Sequence, residues 1–161
     1  MKNSTNDPNG ACGRLADYLE TNKNVLMREW LEQARGDSAV PSDSLTQLEL
    51  VDHVPKIFDA VVQALRNRCS ETTNDVQQIT ARHTVIRWVQ RYDLRAVLRE
   101  VSLLRAAFIR QLLAFDEQVS DLGSDSRLLN AITIHRILDD IVMDATDTFL
   151  KLASRADVDE A

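Results

Sequence analysis

Apolar residues recur every three or four positions over five long stretches of the chain, and polar connectors separate these stretches. This spacing is typical of α-helices that bury one face. The predicted helices cover about residues 14–34, 45–69, 75–90, 93–115 and 126–154. Helices joined by short connectors pack antiparallel. The pattern therefore predicts an all-α fold, a single-domain antiparallel bundle of about five helices with a long C-terminal helix.

Local signals refine the boundaries of these helices. Thr46 and Glu49 have the spacing of a capping box, which marks the start of a helix. Pro55 interrupts the pattern of the second helix, and because proline lacks an amide hydrogen we expect a kink or a fresh start there. Asp93 follows Tyr92 and is a good N-cap for the fourth helix.

The composition excludes several classes of protein. A chain of 161 residues can bury the core of one domain, and 4 Gly, 3 Pro and 5% aromatic residues argue against a turn-rich β sandwich. The net charge of −6 gives no general affinity for nucleic acid, and no apolar run is long enough to cross a membrane. Cys12 and Cys69 are isolated, which is the pattern of reduced cytoplasmic thiols.

Charge is unevenly distributed along the chain. Residues 82–110 contain seven arginines against two acidic residues, a net of +5, whereas residues 139–161 contain seven acidic residues against two basic ones, a net of −5. Two interpretations remain open. The two regions are solvated helix faces that attract each other, or the acidic end contacts a basic partner or a second copy.

The corner between the third and fourth helices carries the most informative residues. His83 lies nine residues before Tyr92 and Glu100 lies eight residues after it, so an antiparallel hairpin places them at the same height. His83 shares its apolar stripe with Val76, Ile79, Ile86 and Val89. A His83–Glu100 hydrogen bond would satisfy both buried groups.

Two arginines extend this arrangement. Arg87 is one turn beyond His83 and could reach Glu100 or Asp93, while Arg105 could pair with an acidic residue of the second or fifth helix. The cluster either fixes the register of the helices or forms a small polar pocket that acts as a switch. A buried histidine beside a carboxylate can respond to pH, and an unknown small-molecule ligand could occupy such a pocket.

The fifth helix has an apolar repeat at intervals of three and four, as in a bundle or coiled-coil seam. Its predicted dimer or signalling positions are Ile132, His135, Leu138, Val142, Phe149 and Leu152. We expect this helix to support a homodimer and to carry a conformational change to an output domain or a partner signalling protein.

The residues of the corner between the third and fourth helices belong to a longer series of residues that occur in a recognisable order along the chain. The series is Trp30, Leu45, Glu49, Leu50, Pro55, His83, Arg87, Tyr92, Asp93, Leu94, Glu100, Leu104 and Arg105. From about Leu15 to Phe115 the chain therefore resembles the RsbRD N-terminal domain family. The resemblance implies an all-helical input module that stands before STAS domains in stressosome-type regulators or before histidine kinase cores. It also allows a globin-like fold without haem.

One position departs from that family pattern. A glycine usually precedes Tyr-Asp-Leu, where the end of a helix needs a left-handed residue, but here Arg91 stands in its place. Either Arg91 adopts the left-handed conformation at some cost, or the corner is built differently.

The sequence contains no motif for a nucleophile, a nucleotide-binding loop or a zinc site, so we expect no catalytic residue, no metal and no cofactor. His53, His83 and His135 are too far apart in sequence to share one helix face. An enzyme that uses His83 and Glu100 as acid and base is an alternative that requires an open cleft.

These observations predict the following organisation. Residues 1–13 form a disordered lead, residues 14–154 a sensory and regulatory domain, and residues 155–161 an acidic tail or the start of a linker. We expect the cytoplasmic input domain of a two-component sensor histidine kinase, with a stressosome-type regulator or a stand-alone helical adaptor as the alternatives. Neither nucleic acid nor a membrane is expected as a partner.

Overall fold

The computed structural model describes residues 8–51, 53–67 and 74–159. These residues form α1 (Pro8–Thr21), α2 (Lys23–Gly36), a 3-10 turn (Ser42–Ser44), α3 (Gln47–Val51), α4 (Val54–Arg66), α5 (Asn74–Val89), α6 (Leu94–Gln118) and α7 (Ser124–Asp159). No strand occurs among them. The predicted all-α bundle with a long C-terminal helix is confirmed.

The first predicted helix is in fact two helices, because Asn22 separates α1 from α2. The Asn22 side-chain amide donates to the carbonyl of Tyr18 at 2.8 Å. A short polar side chain that bonds to the backbone competes with the helical ladder, and the chain turns at that point. The hydrophobic pattern continues across the break and gives no sign of it.

The break predicted at Pro55 is present. α3 ends at Val51, and α4 begins at Val54 with Pro55 in its first turn, where a missing amide hydrogen costs nothing. The capping box before α3 also forms. The Thr46 amide donates to the Glu49 carboxylate at 2.8 Å, and the Glu49 amide donates to the Thr46 hydroxyl at 3.3 Å.

The helical part of the N-terminal region is longer than predicted. α1 begins at Pro8 rather than Arg14, because Ala11 and Cys12 are already buried against the bundle. Residues 1–7 and Cys69 lie outside the described residues. α7 likewise extends beyond Ser154 to Asp159.

The core lies where α7 crosses the other helices, and α7 packs most extensively against α5 and α6. Phe58 of α4 stacks on Phe108 of α6 with ring centroids 5.6 Å apart. Trp88 of α5 meets the edge of Phe149 of α7 at 4.9 Å. In the part of the chain that the structure describes, no helix combines the length and apolar character that a membrane crossing requires.

The predicted seam on the fifth helix does not form one surface. Leu138 and Phe149 are buried in the core of the chain itself, whereas Ile132 and His135 are exposed; Val142 and Leu152 are half-buried. The physical reason is the helical turn: six residues separate Ile132 from Leu138, which places them about 120° apart. The exposed face of α7 instead carries Leu128, Ile132, Met143 and Leu150.

Candidate functional site

The corner between α5 and α6 begins with a left-handed residue. Arg91 has a φ of 65°, and it is the position where glycine was expected. The Arg91 amide donates to the carbonyl of Trp88 at 3.0 Å, and the Tyr92 amide donates to the carbonyl of Arg87 at 2.9 Å. These two bonds are the Schellman pattern, so the corner has the geometry that the family pattern requires, despite the arginine.

The next helix starts immediately after this turn. Asp93 has extended backbone angles, and its carboxylate accepts a hydrogen bond from the Ala96 amide at 2.7 Å, as predicted for an N-cap. The turn and the cap together fix the heights of α5 and α6 relative to each other, which brings His83 level with Glu100.

Glu100 is the acceptor at the centre of the site. One carboxylate oxygen, Oε2, lies 2.8 Å from Arg87 Nε and 3.2 Å from His83 Nε2. The other, Oε1, accepts a hydrogen bond from the Tyr92 hydroxyl at 3.1 Å. We call these four residues the Glu100 cluster; all are at most 4% exposed. The predicted His83–Glu100 contact and the predicted reach of Arg87 to Glu100 are both present.

Arg87 joins the cluster to a third helix. Its Nη1 donates to the carbonyl of Glu49 at 3.0 Å and its Nη2 to the carbonyl of Leu50 at 2.6 Å. These carbonyls belong to the last turn of α3, where intrahelical partners are missing. Nη1 also donates to the Gln90 side chain at 2.7 Å. The guanidinium therefore satisfies the end of α3 and neutralises Glu100 at the same time.

A fourth helix reaches the site through its backbone. Trp30 of α2 is buried, and its indole Nε1 donates to the carbonyl of Glu100 at 3.2 Å. The sequence placed Trp30 among the residues of the family pattern but did not indicate this bond, and it did not indicate the bonds from Arg87 to α3. A buried indole requires an acceptor, but the periodicity does not say which one.

The charges in the cluster stabilise each other. Burial alone would raise the pKa of Glu100, but the hydrogen bond and charge of His83, together with the charge and hydrogen bond of Arg87, lower that pKa below its ordinary value. Burial, followed by the negative charge of Glu100, raises the pKa of the Tyr92 phenol. Glu100 is therefore a carboxylate, and Tyr92 remains a protonated donor.

Two polar atoms beside the cluster lack partners. Among the described residues, neither His83 Nδ1 nor Thr80 Oγ1, one turn earlier on α5, has a hydrogen-bond partner. His83 is 3% exposed, so its ring is packed rather than presented in an open cleft. This packing argues against the acid–base role that the sequence left open. No group of three potential metal ligands occurs in the described ranges.

Arg105 lies apart from the Glu100 cluster. Its Nη2 donates to Asp139 of α7 at 2.5 Å, which is one of the two pairings predicted for it. This bond links the basic stretch of α6 to the acidic stretch of α7. It shows that part of the charge asymmetry is used within the chain.

The α5 stripe is rotated relative to the prediction. Val76 and His83 are buried as expected, but Val89 is 72% exposed, and Arg87 and Thr84 are buried instead. The reason is that Arg87 has five donors that meet carboxylate and carbonyl oxygens inside, so burying it leaves few groups unsatisfied. A pattern based on apolar residues alone could not reveal this.

Comparison with protein families gives one match. The family model described as the RsbT co-antagonist protein rsbRD N-terminal domain matches residues 24–160. This match begins after α1 and includes α7, so it extends further towards the C-terminus than the resemblance we read from the sequence. Comparisons with curated proteins and with solved structures give no match.

Proposed function

The chain belongs to the family of RsbT co-antagonist protein rsbRD N-terminal domains, and from this membership we propose that it is the N-terminal sensory and regulatory input domain of a bacterial signal-transduction protein that works in the cytoplasm. The observation that carries the proposal is the position of the Glu100 cluster. It joins α5 and α6, and these are the two helices that pack most extensively against α7.

The proposal also concerns the type of output domain that this input domain controls. The description of the family names a co-antagonist rather than a kinase core. We therefore propose a stressosome-type output in preference to the histidine kinase core that the sequence led us to expect. The reading frame of the gene tests this preference: a STAS sequence after Ala161 supports it, a kinase core reverses it, and a stop codon favours the stand-alone adaptor.

The proposed mechanism is a change of packing between α5 and α6 that α7 transmits. A switch needs two arrangements that differ by only a few kcal/mol, and the input must bind one of them more tightly. Arg87 supports the proposal because it donates to both Glu100 and the end of α3, so a shift of α5 would change both sets of hydrogen bonds together.

Hydrogen exchange tests this mechanism. His83→Gln keeps an amide donor for Glu100 but changes its length and geometry, and we expect faster exchange in α5, α6 and α7 without loss of helical content. Arg110→Gln is the matched control, because the 3.4 Å contact of Arg110 with Glu29 is exposed and lies outside the Glu100 cluster. Faster exchange confined to α5 and α6, with α7 unchanged, would contradict transmission through α7.

We also propose a homodimer through the exposed face of α7. Leu128, Ile132, Met143 and Leu150 are each more than half exposed on this one helix. Two copies of α7, antiparallel about a point between residues 137 and 138, place Ile132 level with Met143 of the second copy. In this register the two central apolar positions of the face meet each other across a two-fold axis, so the contact uses the same surface of both copies.

Sedimentation measures this association directly. We expect wild-type protein to form a dimer and Ile132→Glu to sediment as a monomer, since a charge would be buried at the interface. Val89→Glu on α5 introduces the same charge on another exposed apolar position and should leave the dimer intact. A wild-type monomer at high concentration would overturn the dimer proposal but would leave the input function standing.

A further inference from the structure

Helix α5 buries four polar residues and exposes two apolar ones. Its buried residues are Val76, Thr80, His83, Thr84 and Arg87. On the opposite side, Val85 is 41% exposed and Val89, one turn later, is 72% exposed. A surface helix ordinarily buries its apolar stripe and exposes its polar one. Val85 and Val89 form a small apolar surface on the outer side of α5.

A cleft lies beside the first of these two valines, Val85. It has a volume of about 340 Å³ and is lined by His53, Ala81, Arg82, Val85 and Ile86. We call it the α5 cleft. Its lining is mostly apolar, and its volume is at the small end of the range for binding sites, which suits one or two apolar side chains rather than a large ligand.

Positive charge borders the α5 cleft. Arg82 lines it and also lines a second groove, of about 430 Å³, between α4 and α5. That second groove also contains Lys56, Asp59 and Asp75, so its charges balance and Arg82 is the cation that the cleft itself presents. An arginine at the edge of an apolar cleft favours a carboxylate next to the apolar side chains that enter it.

We propose that the α5 cleft binds an amphipathic helix of a partner protein, with apolar residues at positions i and i+4 flanked by Asp or Glu. Val85 and Val89 are themselves four residues apart, so a helix laid along α5 meets them with its own i and i+4 side chains. A carboxylate of that helix pairs with Arg82. The proposal rests on the input function for its signalling role, whereas the binding itself stands on the surface alone.

Binding at this surface would reach the Glu100 cluster through α5 itself. Val85 and Val89 alternate along the same two turns with His83 and Arg87, which face inwards to Glu100. A rigid helix that is pushed or rotated on its outer side moves the donors on its inner side. The partner would thus act on the cluster without entering the core.

A synthetic peptide tests the proposal. The probe is an amphipathic helix of about 15 residues with leucine at i and i+4 and glutamate on both flanks. It is titrated into the isotope-labelled full 161-residue chain. We expect saturable NMR shifts centred on Ala81, Arg82, Val85, Ile86 and Val89, with a Kd below about 1 mM.

Charge exchange provides the specific control. Arg82→Glu should weaken the binding of the glutamate-flanked peptide by about tenfold. The same variant should bind a matched lysine-flanked peptide more tightly than the wild-type protein does. Val89→Glu should abolish binding, while Leu113→Glu, at a similarly exposed leucine of α6, should not. Circular dichroism of each variant confirms that it remains folded.

Three outcomes would overturn the proposal. They are the absence of saturable shifts up to about 1 mM, shifts centred on the exposed face of α7, and equal binding of the glutamate and lysine peptides. If Val89→Glu instead abolishes the wild-type dimer, the occupant is a second copy and the partner proposal fails. The hydrogen-exchange test of the input function is independent of all these outcomes, so the two failures are distinguishable.

Discussion

Arg87 and Glu100 form a buried ion pair, with Arg87 Nε 2.8 Å from Glu100 Oε2 and with side chains 0% and 2% exposed. Such a pair is stabilising only if the remaining hydrogen-bonding groups are also satisfied, because both charges leave water. Here His83, Tyr92 and the carbonyls of α3 complete the set. The pair thus fixes the relative positions of α3, α5 and α6.

Breaking this pair should destabilise the fold strongly. Arg87→Met or Glu100→Gln leaves the other partner buried and incompletely satisfied, and we expect each to lower the free energy of unfolding by about 3–5 kcal/mol. The double variant should lose less than the two effects added together, by about 1–3 kcal/mol. Chemical denaturation of the four proteins measures this coupling.

An exposed pair serves as the control for that cycle. Arg110 and Glu29 are 3.4 Å apart with side chains 44% and 30% exposed, and their coupling should not exceed about 1 kcal/mol. Equal coupling in the two cycles would show that burial of the Arg87–Glu100 pair has no energetic consequence.

Arg91 should be a site where glycine stabilises the protein. Its φ of 65° places it in the left-handed region, which disfavours residues with a Cβ. Arg91→Gly should raise the free energy of unfolding by about 0.5–1 kcal/mol, because relief of strain outweighs the greater entropy of the unfolded chain. Arg91→Ala removes the same charge but keeps the Cβ, so it should bring no gain. Thermal unfolding compares them, and equal melting temperatures for the two variants would refute this explanation.

Much of the fold follows from periodicity. The stripes of α4 and α6, the capping box at Thr46 and the break at Pro55 depend on local spacing, which the sequence shows directly. The break at Asn22 does not, because the apolar spacing continues across it. The faces of α7 were misassigned because a repeat of three and four drifts around a long helix.

The sequence was enough to predict the contact between His83 and Glu100 but not the hydrogen bonds that join the site to α3. Separations of nine and eight residues from Tyr92 place His83 opposite Glu100, and the two turn bonds at Arg91 and Tyr92 hold that register. The bonds from Arg87 to α3 depend on tertiary packing, which spacing along the chain does not encode. The same packing rotates the buried face of α5, so that Arg87 is buried and Val89 is exposed.

The Glu100 cluster should make the free energy of unfolding depend on pH in the acidic range. The pKa of Glu100 is lowered in the folded protein, so the unfolded chain binds a proton more readily. Its contribution is therefore fully present above the unfolded pKa of about 4.3 and is lost as the pH falls through the folded value. The stability difference between wild type and Glu100→Gln should shrink below about pH 4. Denaturation at several pH values measures it.

A control variant separates this effect from general acid unfolding. Glu117→Gln removes one exposed carboxylate of α6, and its stability difference from wild type measures the general effect of losing one negative charge over the same pH range. A Glu100→Gln difference that ran parallel to it would mean that the ionisation of Glu100 contributes nothing specific to stability.

Ionisation of Asp144 should lower the stability of the fold, whereas ionisation of Glu100 raises it. Burial, followed by the charges of Asp140 and Asp147 on the same helix, raises the pKa of Asp144. Its Oδ2 is buried without a hydrogen-bond partner among the described residues. The folded protein thus holds this proton more tightly, so ionisation at neutral pH opposes folding, and the penalty disappears as the pH falls below the unfolded pKa of about 3.9.

Asp144→Asn should consequently raise the melting temperature at pH 7, because the amide removes the charge and supplies a donor where like charges crowd. The gain should fade in acid, where the wild-type carboxyl is protonated. Glu117→Gln again controls for the loss of one negative charge from a chain with a net charge of −6. An equal rise for both variants would assign the effect to net charge. A fall for Asp144→Asn would show that the carboxylate is needed in the folded state, as it would be if a cationic group of a partner pairs with it.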